Sequence, residues 1–491
     1  MKLKELLRGI EILYATADME TEIGDISYDS RAVKSGDLFC AIVGAAADGH
    51  RFIPMAMEKG AAAVLCETPP ENGVPYVQVG DSRLALALAS RNYFADPAGS
   101  MTMVGVTGTN GKTTTTLLLK HVLEEALGAK VGLIGTNANM IGDMELPTER
   151  TTPQSYELQK LFRAMADAGC THVVMEVSSH ALDQDRAAGV RYAVGVFTNL
   201  TQDHLDYHKT MENYAAAKTK LFSASDAAVI NLDDHWAEYF LRAARAAGCS
   251  VTGCSIGNAG ADIAVREPAD VKLLPDRVEF SIVCGGARQA VRLGIPGRFS
   301  VYNGMSVLAA ARALGVPLAD AAAALETVKG VKGRVEPVPT DGDYTILIDY
   351  AHTPDALENV LKTVRETAPG RVVAVFGCGG DRDRTKRPIM GKLAADLADF
   401  AIVTSDNPRT EDPEAIIAEI LAGVTAERGK YTAITDRAAA IGYAIEHHRP
   451  SDVIVLAGKG HETYQEVGHE KRHMDEREIV ADILNKRKER L

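Results

Sequence analysis

The sequence predicts an α/β protein of three domains, and three observations support this fold class. The chain has 491 residues, which is enough for about three domains. Short apolar segments with strand character alternate with helical segments, as is typical of mostly parallel sheets covered by helices on both faces. A glycine-rich turn at residues 105–114 joins one of these strands to a helix.

Composition along the chain places the domain boundaries. A Pro- and Gly-containing segment at residues 95–100 is typical of a linker, and a new strand–helix block begins near Val331. We therefore expect domains at residues 1–97, 98–331 and 332–491. The strands predicted within them are residues 37–43, 61–66, 76–79, 131–136, 172–177, 194–199, 227–231, 345–349, 372–376, 400–404 and 452–456. Residues 271–293 alternate differently and predict a small antiparallel excursion.

Charge and cysteine content exclude several classes of protein. Lys and Arg number 53 against 66 Asp and Glu, and the net charge of −13 argues against nonspecific binding to nucleic acid or anionic membranes. The seven cysteines form no Cys-x-x-Cys pair, which argues against a zinc site or a disulfide framework. Because no long apolar run and no apolar signal core occur, we expect a protein of the reducing cytoplasm without membrane insertion.

The glycine-rich turn is the strongest functional signal. Such a turn directs several backbone N–H groups at one anion, and the following helix adds about half a positive charge at its N-terminus. The generic phosphate-loop pattern requires glycine at position 106, which is Val here, so the turn is a narrower variant. We expect a nucleoside triphosphate to bind, with Lys112 reaching the outer phosphates and Thr113 ligating Mg²⁺. The predicted binding residues are Gly108, Thr109, Asn110, Gly111, Lys112, Thr113 and Thr114.

Two predicted strands of the second block end in residues that suit a metal ion. Glu176 closes the segment 172–177, and His204 follows the segment 194–199. In parallel sheets ligands gather beyond the carboxyl ends of the strands. A carboxylate and the Thr113 hydroxyl are hard oxygen ligands of the kind Mg²⁺ prefers, whereas histidine is less usual. The residues alone leave His204 either a metal ligand or a hydrogen-bonding core residue.

Motifs in all three blocks resemble the Mur ligase family, whose relatives include the folylpolyglutamate synthases. The similarity extends from Asp29-Ser30-Arg31 across nearly the whole chain. It implies a small N-terminal UDP-binding domain, a central ATP-binding P-loop domain and a C-terminal Rossmann-like domain that binds an amino acid. The motifs occur in the family's order: Thr107-Gly108-Thr109-Asn110-Gly111-Lys112-Thr113, Glu176-Val177-Ser178-Ser179-His180, Thr198-Asn199-Leu200, Asp203-His204-Leu205-Asp206-Tyr207-His208, Asp406-Asn407-Pro408-Arg409 and Gly458-Lys459-Gly460-His461-Glu462.

The resemblance implies that Glu176 and His204 hold magnesium ions and that Lys218 is carbamylated by CO₂ and helps to ligate the second ion. From its helix alone, Lys218 would instead be a solvated surface lysine. An ammonium about 4 Å from Mg²⁺ is repelled by roughly 8 kcal/mol at an effective dielectric constant near 20, and a carbamate is attracted by a similar amount. The resemblance therefore makes Lys112, Glu176, His204 and Lys218 the expected catalytic group.

The resemblance also assigns residues to the nucleotide. Arg334 would neutralise phosphate charge, Asp349 would accept hydrogen bonds from the ribose hydroxyls, and Asn303 would lie beside the adenine. Asp349 ends a predicted strand, so an ordinary helix cap is the alternative for this residue.

Further motifs point to the amino acid. In the family, Asp-Asn-Pro-Arg accompanies meso-diaminopimelate, whose distal end carries an amine and a carboxylate. The planar fork of Arg409 can hold a carboxylate with two hydrogen bonds, whereas an arginine left unpaired would be costly with L-lysine as substrate. The residues expected around the amino acid are Arg382, Asp406, Asn407, Pro408, Arg409, Gly458 and Glu462.

The third substrate implied by the resemblance is a UDP-N-acetylmuramoyl dipeptide. Ser30 would bind a diphosphate oxygen, or it caps a turn, and any contact of the uracil with residues 45–47 would be made by backbone groups. Position 150 is often Asn in the family and is Arg here. The residues expected to hold the muramoyl peptide are Thr151, Thr152, Ser178, Gln184 and Arg186.

Together these matches imply an ATP-dependent ligase of peptidoglycan synthesis that adds meso-diaminopimelate through an acyl phosphate. No Ser-His-Asp or Cys-His nucleophile set is evident in the sequence, which agrees with this route. We expect a monomer that acts on small molecules. Two alternatives stay open: a ligase of the same superfamily that uses L-lysine or a folate, and a nucleotide-binding regulator that forms no bond.

Overall fold

The fold is described from a computed structural model of the chain. It describes residues 1–44, 47–71, 73–148, 150–266, 270–328, 330–424 and 430–490. Contacts within the chain define two compact units. Unit 1 comprises Met1–Ser255 and Ser306–Ala321, and unit 2 comprises Ile256–Met305 and Ala322–Leu491.

The N-terminal part of unit 1 is a small α/β layer with the strand order β1-β5-β4-β3-β2. Its strands are parallel except at the β1–β5 edge. The elements are α1 (Leu3–Leu6), β1 (Tyr14–Ala15), β2 (Ile26–Ser27), β3 (Leu38–Cys40), α2 (Ile53–Glu58), β4 (Ala63–Cys66), β5 (Tyr76–Gln78) and α3 (Ser82–Tyr93).

The central part of unit 1 is a larger sheet with the order β13-β12-β11-β6-β10-β7-β8-β9. The pairs from β13 to β7 are parallel, and β8 and β9 add an antiparallel edge. The elements are β6 (Thr102–Thr107), α4 (Lys112–Leu127), β7 (Val131–Ile134), β8 (Asn139–Ile141), β9 (Met144–Leu146), α5 (Ser155–Asp167), β10 (His172–Glu176), α6 (Ser179–Asp183), β11 (Tyr192–Phe197), α7 (Leu205–His208), α8 (Met211–Ser223), β12 (Ser225–Asn231), α9 (Ala237–Ala246) and β13 (Ser250–Ile256).

An antiparallel segment begins unit 2, and two helices follow it along the chain. Strands β15, β16 and β17 pair antiparallel, as does β14 with β16. This confirms the antiparallel excursion predicted for residues 271–293. The elements are β14 (Ile263–Val265), β15 (Val271–Leu273), β16 (Val278–Cys284), β17 (Ala287–Leu293), α10 (Arg298–Ala313) and α11 (Leu318–Glu326).

The rest of unit 2 is a second doubly wound layer with the order β18-β19-β23-β20-β21-β22. Strand β18 is antiparallel to β19, and the other pairs are parallel. The elements are β18 (Glu336–Val338), β19 (Tyr344–Asp349), α12 (Pro354–Thr367), β20 (Val372–Phe376), α13 (Lys386–Leu397), β21 (Phe400–Val403), α14 (Pro413–Leu421), β22 (Tyr431–Ala433), α15 (Arg437–Glu446), β23 (Asp452–Ala457), β24 (Tyr464–Val467), β25 (Glu470–His473) and α16 (Glu476–Arg490).

Burial explains why these segments form strands of parallel sheets. Every residue of β20 and of β23 is buried, as expected for central strands that helices cover on both faces. The predicted fold class is confirmed, and the predicted strands are present with shifts of a few residues at their ends. The exact domain boundaries stay predictions. Within the described residues, no helix is both long enough and apolar enough to span a membrane.

Candidate active site

The turn between β6 and α4 has the conformation that its glycines allow. Gly108 and Gly111 have φ values of +151° and +84°. A Cβ atom at position 108 would overlap Thr198 Oγ1. Val106, in contrast, lies inside the buried strand β6, so no glycine is needed there. The departure from the generic phosphate-loop pattern is therefore a shift of the glycine to the position where the backbone needs it.

Residues that follow β11 hold this turn from behind. Asn199 Oδ1 accepts a hydrogen bond from the Asn110 backbone N–H at 2.9 Å, and the Asn199 carbonyl accepts one from the Thr109 N–H at 2.8 Å. The Thr198 hydroxyl donates to the Asn110 carbonyl at 2.6 Å. The sequence motif Thr-Asn-Leu marked this segment, but its role as a support of the phosphate turn was not predicted.

The N-terminus of α4 is arranged to face an anion. The residue before it is Gly111, and no side chain caps this end within the described part of the chain. Uncapped N–H groups at a helix start are satisfied by water or by a ligand. Lys112 Nζ lies 2.9 Å from both the Gly108 and the Thr109 carbonyl oxygens, so its charge is held over the turn. Thr113 and Thr114 are buried in the first turn of α4.

Lys218 is not a solvated helix lysine. Its side chain is 1% exposed, and Nζ donates to the Gly108 carbonyl at 2.8 Å while lying 4.6 Å from the centre of the Tyr214 ring. Burial, followed by the Lys112 charge, lowers the pKa of the Lys218 amine well below its usual value. A lower pKa increases the share of the neutral amine, which is the form that reacts with CO₂.

Glu176 ends β10, the parallel neighbour of β6. The structure buries its carboxylate, which accepts hydrogen bonds from the Thr136 backbone N–H at 2.8 Å and from the Thr136 hydroxyl at 3.0 Å. Each carboxylate oxygen keeps a further lone pair that can ligate a cation. The predicted convergence of strand ends is thus present, because β6 and β10 pair in register and Glu176 lies opposite Val106.

His204 lies at the start of α7 with a left-handed backbone, φ +54°. Its ring meets the ring of His180 edge-on at 4.8 Å, and its Nε2 lies 3.5 Å from Asp203 Oδ2. Burial lowers the pKa of the His204 imidazole, and the Asp203 carboxylate opposes this shift. A neutral imidazole is the form that can bind a metal. Among the described residues, no three His, Cys, Asp or Glu side chains are grouped as a metal site, so the protein alone does not complete a magnesium shell here.

The residues expected to hold the muramoyl peptide are linked to one another. Thr152 Oγ1 donates to the Glu176 carbonyl at 2.8 Å and accepts from the Ser178 N–H at 3.1 Å. Arg186 donates to the Thr152 carbonyl at 3.1 Å and to Gln184 Oε1 at 2.7 Å. The hydroxyl of Ser178 caps α6 by accepting from the Ala181 N–H at 3.2 Å. This chain of contacts joins the predicted peptide site to the predicted metal site.

Arg186 lies in an environment prepared for an anion. Its side chain is buried, and burial, followed by the Arg150 and Arg83 charges, lowers the pKa of Arg186 to about 10. Three neighbouring guanidinium groups repel one another, and a bound polyanion would relieve that repulsion. Arg83 was not predicted as a site residue. Its sequence context is that of an ordinary first-turn helix residue, so no sequence signal distinguished it.

The remaining predicted residues of unit 1 show no comparable constellation. Thr151 shares a hydrogen bond of 3.0 Å with the Thr136 hydroxyl, which also contacts Glu176. The buried Ser30 donates to Met55 Sδ at 3.4 Å. The predicted uracil segment 45–47 lies partly outside the described residues, because the structure does not describe Ala45 and Ala46.

In unit 2 the predicted nucleotide residues lie at the end of β19 and in α10. Asp349 Oδ2 accepts from the Val335 N–H at 2.8 Å, and Oδ1 accepts from the Ala351 N–H at 2.9 Å, so this carboxylate fixes two turns. Burial raises the pKa of Asp349, and the nearby Arg334 opposes the shift. Helix α12 is capped by Thr353, so Asp349 is not the helix cap considered as its alternative. Asn303 is buried in α10.

A cleft of about 610 Å³ in unit 2 brings together most residues predicted for the amino acid. Tyr350, His352 and Lys386 also line it. Pro408 does not line this cleft, but its carbonyl lies where a Cβ atom at Gly380 would overlap it. The predicted residues that line the cleft are Arg382, Asp406, Asn407, Arg409, Gly458 and Glu462.

Asp406 offers the cleft a carboxylate oxygen without a partner. Oδ1 accepts from the Asn407 N–H at 2.7 Å, whereas the buried Oδ2 has no hydrogen-bond partner among the described residues. Gly458 leaves access to this atom, since a Cβ at position 458 would lie 2.5 Å from Oδ2. A buried carboxylate oxygen without a partner is costly, so the arrangement favours a cationic ligand.

Arg409 is already paired. Its Nε donates to Glu466 Oε2 at 2.9 Å and its Nη1 to the Gly380 carbonyl at 2.8 Å. The expectation that this arginine would be left unpaired without a distal carboxylate is therefore wrong, because Glu466 neutralises it. Lys459 and Asn407 hold Glu462 on the other side: both donate to Glu462 Oε2, at 2.8 and 3.0 Å. Sequence analysis missed Glu466 and Lys459 as partners of the cleft residues.

The phosphate turn, the buried lysine and the amino-acid cleft define a nucleotide-dependent ligase, and the family comparison agrees. The Mur ligase family domain matches residues 22–93, the Mur ligase middle domain matches 106–311 and the glutamate ligase domain matches 333–460. The chain belongs to the Mur ligase family.

Within this family, the chain is similar to individual members that share one name. The chain is 45% identical over 496 residues to the UDP-N-acetylmuramoyl-L-alanyl-D-glutamate–2,6-diaminopimelate ligase of Clostridium botulinum, covering 99% of both chains. It is 43% identical to the enzyme of the same name from Clostridium tetani, again with 99% of both chains covered. A solved structure of a ligase of this name has a TM-score of 0.75 and 34% identity, and the match covers 99% of each chain.

Replacing Gly108 tests the phosphate turn. We expect Gly108→Ala to weaken ATP binding by at least about tenfold, because the added methyl group overlaps Thr198 Oγ1 and the positive φ strains any L-residue. Isothermal titration calorimetry with ATP and Mg²⁺ measures this. Gly128→Ala is the matched control: it ends the same helix at φ +60°, but its Cβ would meet open space. The control should lose some thermal stability and keep its ATP affinity, and equal ATP affinity in both variants would contradict the assignment.

Proposed function

We propose that the chain is an ATP-dependent ligase that joins meso-diaminopimelate to UDP-N-acetylmuramoyl-L-alanyl-D-glutamate in peptidoglycan synthesis. Two full-length relatives at 45% and 43% identity bear that name. The observation that carries the proposal is the cleft of unit 2, which Asp406, Arg382 and Arg409 all line and in which Asp406 Oδ2 has no hydrogen-bond partner among the described residues. A cleft that offers both an ammonium acceptor and carboxylate donors suits a zwitterionic amino-acid end.

The reaction that fits these residues proceeds by carboxylate activation. An oxygen of the D-glutamate side-chain carboxylate attacks the γ-phosphorus of ATP, the bond to the β-phosphate oxygen breaks, and an acyl phosphate and ADP result. The amine of diaminopimelate then attacks the acyl carbon, loses a proton and expels phosphate. The backbone N–H groups of the turn and Lys112 would hold the phosphates, and Arg186 would orient the dipeptide.

Magnesium fits the residues of unit 1 as a shared ion between protein and phosphate. Glu176 and the Thr113 hydroxyl supply hard oxygen atoms, and His204 supplies a neutral nitrogen. Bound Mg²⁺ would spread the negative charge that develops on the transferred phosphoryl group. The described side chains do not form a complete metal shell, so waters, substrate oxygen atoms or a carbamate on Lys218 would complete it.

We further propose that Lys218 is carbamylated. The neutral form of its Nζ attacks the carbon of CO₂ and a proton is released to solvent, so that the carbamate places a negative charge next to Lys112. The low pKa caused by burial supports this step, and so does the short distance to the phosphate turn, 2.8 Å to the Gly108 carbonyl. The monomeric state and the cytoplasmic location stay predictions.

One observation keeps the L-lysine-adding ligase as a second candidate. Since Glu466 already neutralises Arg409, a substrate without a distal carboxylate would not leave a buried cation unpaired. The two candidates differ in their amino acid and share the nucleotide, the uridine substrate and the chemistry.

A substrate panel tests the proposed function. We expect amide formation with phosphate release when ATP, the uridine-linked dipeptide and meso-diaminopimelate are all present, and much slower turnover with L-lysine or L-ornithine. Mass spectrometry of the product and a phosphate assay measure both. Preference for L-lysine would select the second candidate. ATP hydrolysis that is indifferent to the amino acid would instead favour a nucleotide-binding regulator.

Replacing Asp406 tests the amino-acid cleft. We expect Asp406→Asn to raise the KM for the amino acid about 10- to 100-fold, since a hydrogen bond to a charged group contributes roughly 1.5–3 kcal/mol. The KM for the uridine-linked dipeptide should not change. Asp412→Asn is the matched control, because Asp412 caps α14 through the Glu414 N–H, does not line the cleft as described, and Asn caps equally well. An unchanged amino-acid KM in Asp406→Asn would remove the basis of this assignment.

Lys218→Ala tests the carbamate. We expect loss of ligation that a short carboxylic acid such as acetate partly restores, since it supplies the missing carboxylate. Intact-mass analysis of the protein without substitutions should show an added carbon dioxide, about 44 daltons, that is absent from the variant. Lys220→Ala is the control, because Lys220 lies on the same helix and is largely exposed near Asp183. Full activity of Lys218→Ala, or ligation that no carboxylic acid restores, would contradict the proposal.

A further inference from the structure

A half-buried guanidinium group outside the predicted site links two of its loops. Arg477 lies in the first turn of α16 with its side chain 21% exposed. Its Nε donates to Glu336 Oε1 at 2.8 Å, and its Nη2 donates to Glu336 Oε2, so the pair is bidentate. Nη1 donates to Asp475 Oδ1 at 3.0 Å, which fixes the plane of the guanidinium group. Bidentate Arg–carboxylate pairs combine strength with a defined orientation.

Through Glu336, Arg477 is connected to the loop that carries Gly333 and Arg334, which is proposed to bind the nucleotide. Glu336 Oε2, besides pairing with Arg477, accepts the Gly333 backbone N–H at 2.7 Å. The Gly333 carbonyl in turn accepts from the Tyr350 N–H at 3.0 Å. The residue between Gly333 and the turn fixed by Asp349 is Arg334. The carboxylate of Glu336 therefore determines the path of the backbone that carries Arg334.

Arg477 also contacts the loop of residues 458–462, which is proposed to bind the amino acid. Arg477 Nη2 also donates to the Gly460 carbonyl at 3.1 Å. Gly460 lies between Gly458 and Glu462, which both line the cleft. The two loops also approach each other directly, since a Cβ at Gly333 would overlap the His461 backbone nitrogen. Arg477 thus contacts the Gly460 backbone directly and the Gly333 backbone through Glu336, where the two loops pack against each other.

We propose that Arg477 is a positioning residue that couples the loop carrying Arg334 to the loop carrying Gly458 and Glu462. A shift of one loop would then move the other, so that binding of the nucleotide and binding of the amino acid both depend on Arg477. This inference rests on the proposed function, which assigns the two loops to two substrates. Lysine cannot replace it, because an ammonium cannot make a bidentate pair with Glu336 while also holding the Gly460 carbonyl in the same plane.

An ion pair elsewhere in unit 2 provides the comparison. Arg371 donates to Asp452 Oδ2 at 2.6 Å and to Oδ1 at 3.1 Å. Asp452 begins β23, whereas Gly458 follows its other end. The Arg371 pair is therefore equally bidentate and half-buried but touches neither loop. A role of Arg477 in stability alone would make the two arginines equivalent in their effects on catalysis.

The test is steady-state kinetics of Arg477→Lys and Arg371→Lys in the full-length protein. We expect Arg477→Lys to raise the KM for ATP and for the amino acid together, each about tenfold, and to leave the KM for the uridine-linked dipeptide unchanged. Arg371→Lys should leave all three KM values unchanged at a similar loss of thermal stability. A fall in thermal stability of Arg477→Lys with all three KM values unchanged would overturn the proposal, and so would a change in only one of the two KM values.

A second measurement separates this inference from the proposed function. If the protein without substitutions does not ligate diaminopimelate, the proposed function is wrong. Amide hydrogen exchange then tests the coupling of the two loops independently of that function. We expect Arg477→Lys to accelerate exchange in residues 333–336 and 458–462 together, while Arg371→Lys changes neither segment. Glu336→Gln should reproduce the effect, and adding it to Arg477→Lys should have little further effect. Faster exchange in one segment only would overturn the coupling.

Discussion

The chemistry proposed for unit 1 depends on the turn between β6 and α4. The N–H groups where it enters α4 must face a ligand while its carbonyl oxygens are bonded to other groups of the protein. The Thr109 and Asn110 N–H groups donate to Asn199, so an anion would use the N–H groups at the start of α4. The carbonyl oxygens of the turn must then be satisfied by other donors if the turn is to keep its shape. Lys112 and Lys218 both donate to the Gly108 carbonyl, and Thr198 and Asn199 hold Asn110. The same contacts bring the buried amine of Lys218 beside the turn. The proposed binding of phosphate and the proposed modification of the lysine thus depend on one arrangement.

In unit 2 the corresponding constraint is the cost of the buried charges that line its cleft. A cleft for an amino acid must offer both signs of charge, yet each buried charge is costly while the cleft lacks its ligand. The structure neutralises the cations internally, with Glu466 on Arg409 and Glu462 on Lys459. Among the described residues, the cleft acceptor Asp406 Oδ2 has no hydrogen-bond partner. Glu466 and Glu462 compensate the buried cations when no substrate is bound. Asp406 Oδ2 is the atom at which a cationic group of the substrate would gain most from binding.

The fold and the main site elements could be predicted from the sequence because their signals are local. Alternating apolar segments predicted the sheets, and Gly-Lys-Thr-Thr at a strand end predicted the phosphate turn. Lys218 could not be assigned from its own surroundings, since a helical lysine near exposed residues is ordinarily solvated. The family resemblance supplied its role, and the structure then showed its burial. The finer assignments of substrate residues stay predictions.

The residues that sequence analysis missed act through contacts between distant segments. Thr198 lies 88 positions from Asn110, Glu466 lies 57 positions from Arg409, and Arg477 lies 141 positions from Glu336. No periodicity or spacing reports such pairs. The expected cost of an unpaired Arg409 was wrong for the same reason, because its partner comes from the β24–β25 hairpin.

Transfer of oxygen between the substrates tests the central claim most directly. The D-glutamate side-chain carboxylate of the uridine-linked dipeptide is labelled with ¹⁸O, and ligation is run with ATP, Mg²⁺ and meso-diaminopimelate. Activation of the carboxylate by phosphoryl transfer predicts one ¹⁸O atom in each phosphate released, because the acyl oxygen leaves with the phosphorus. Amide product accompanied by unlabelled phosphate would contradict it.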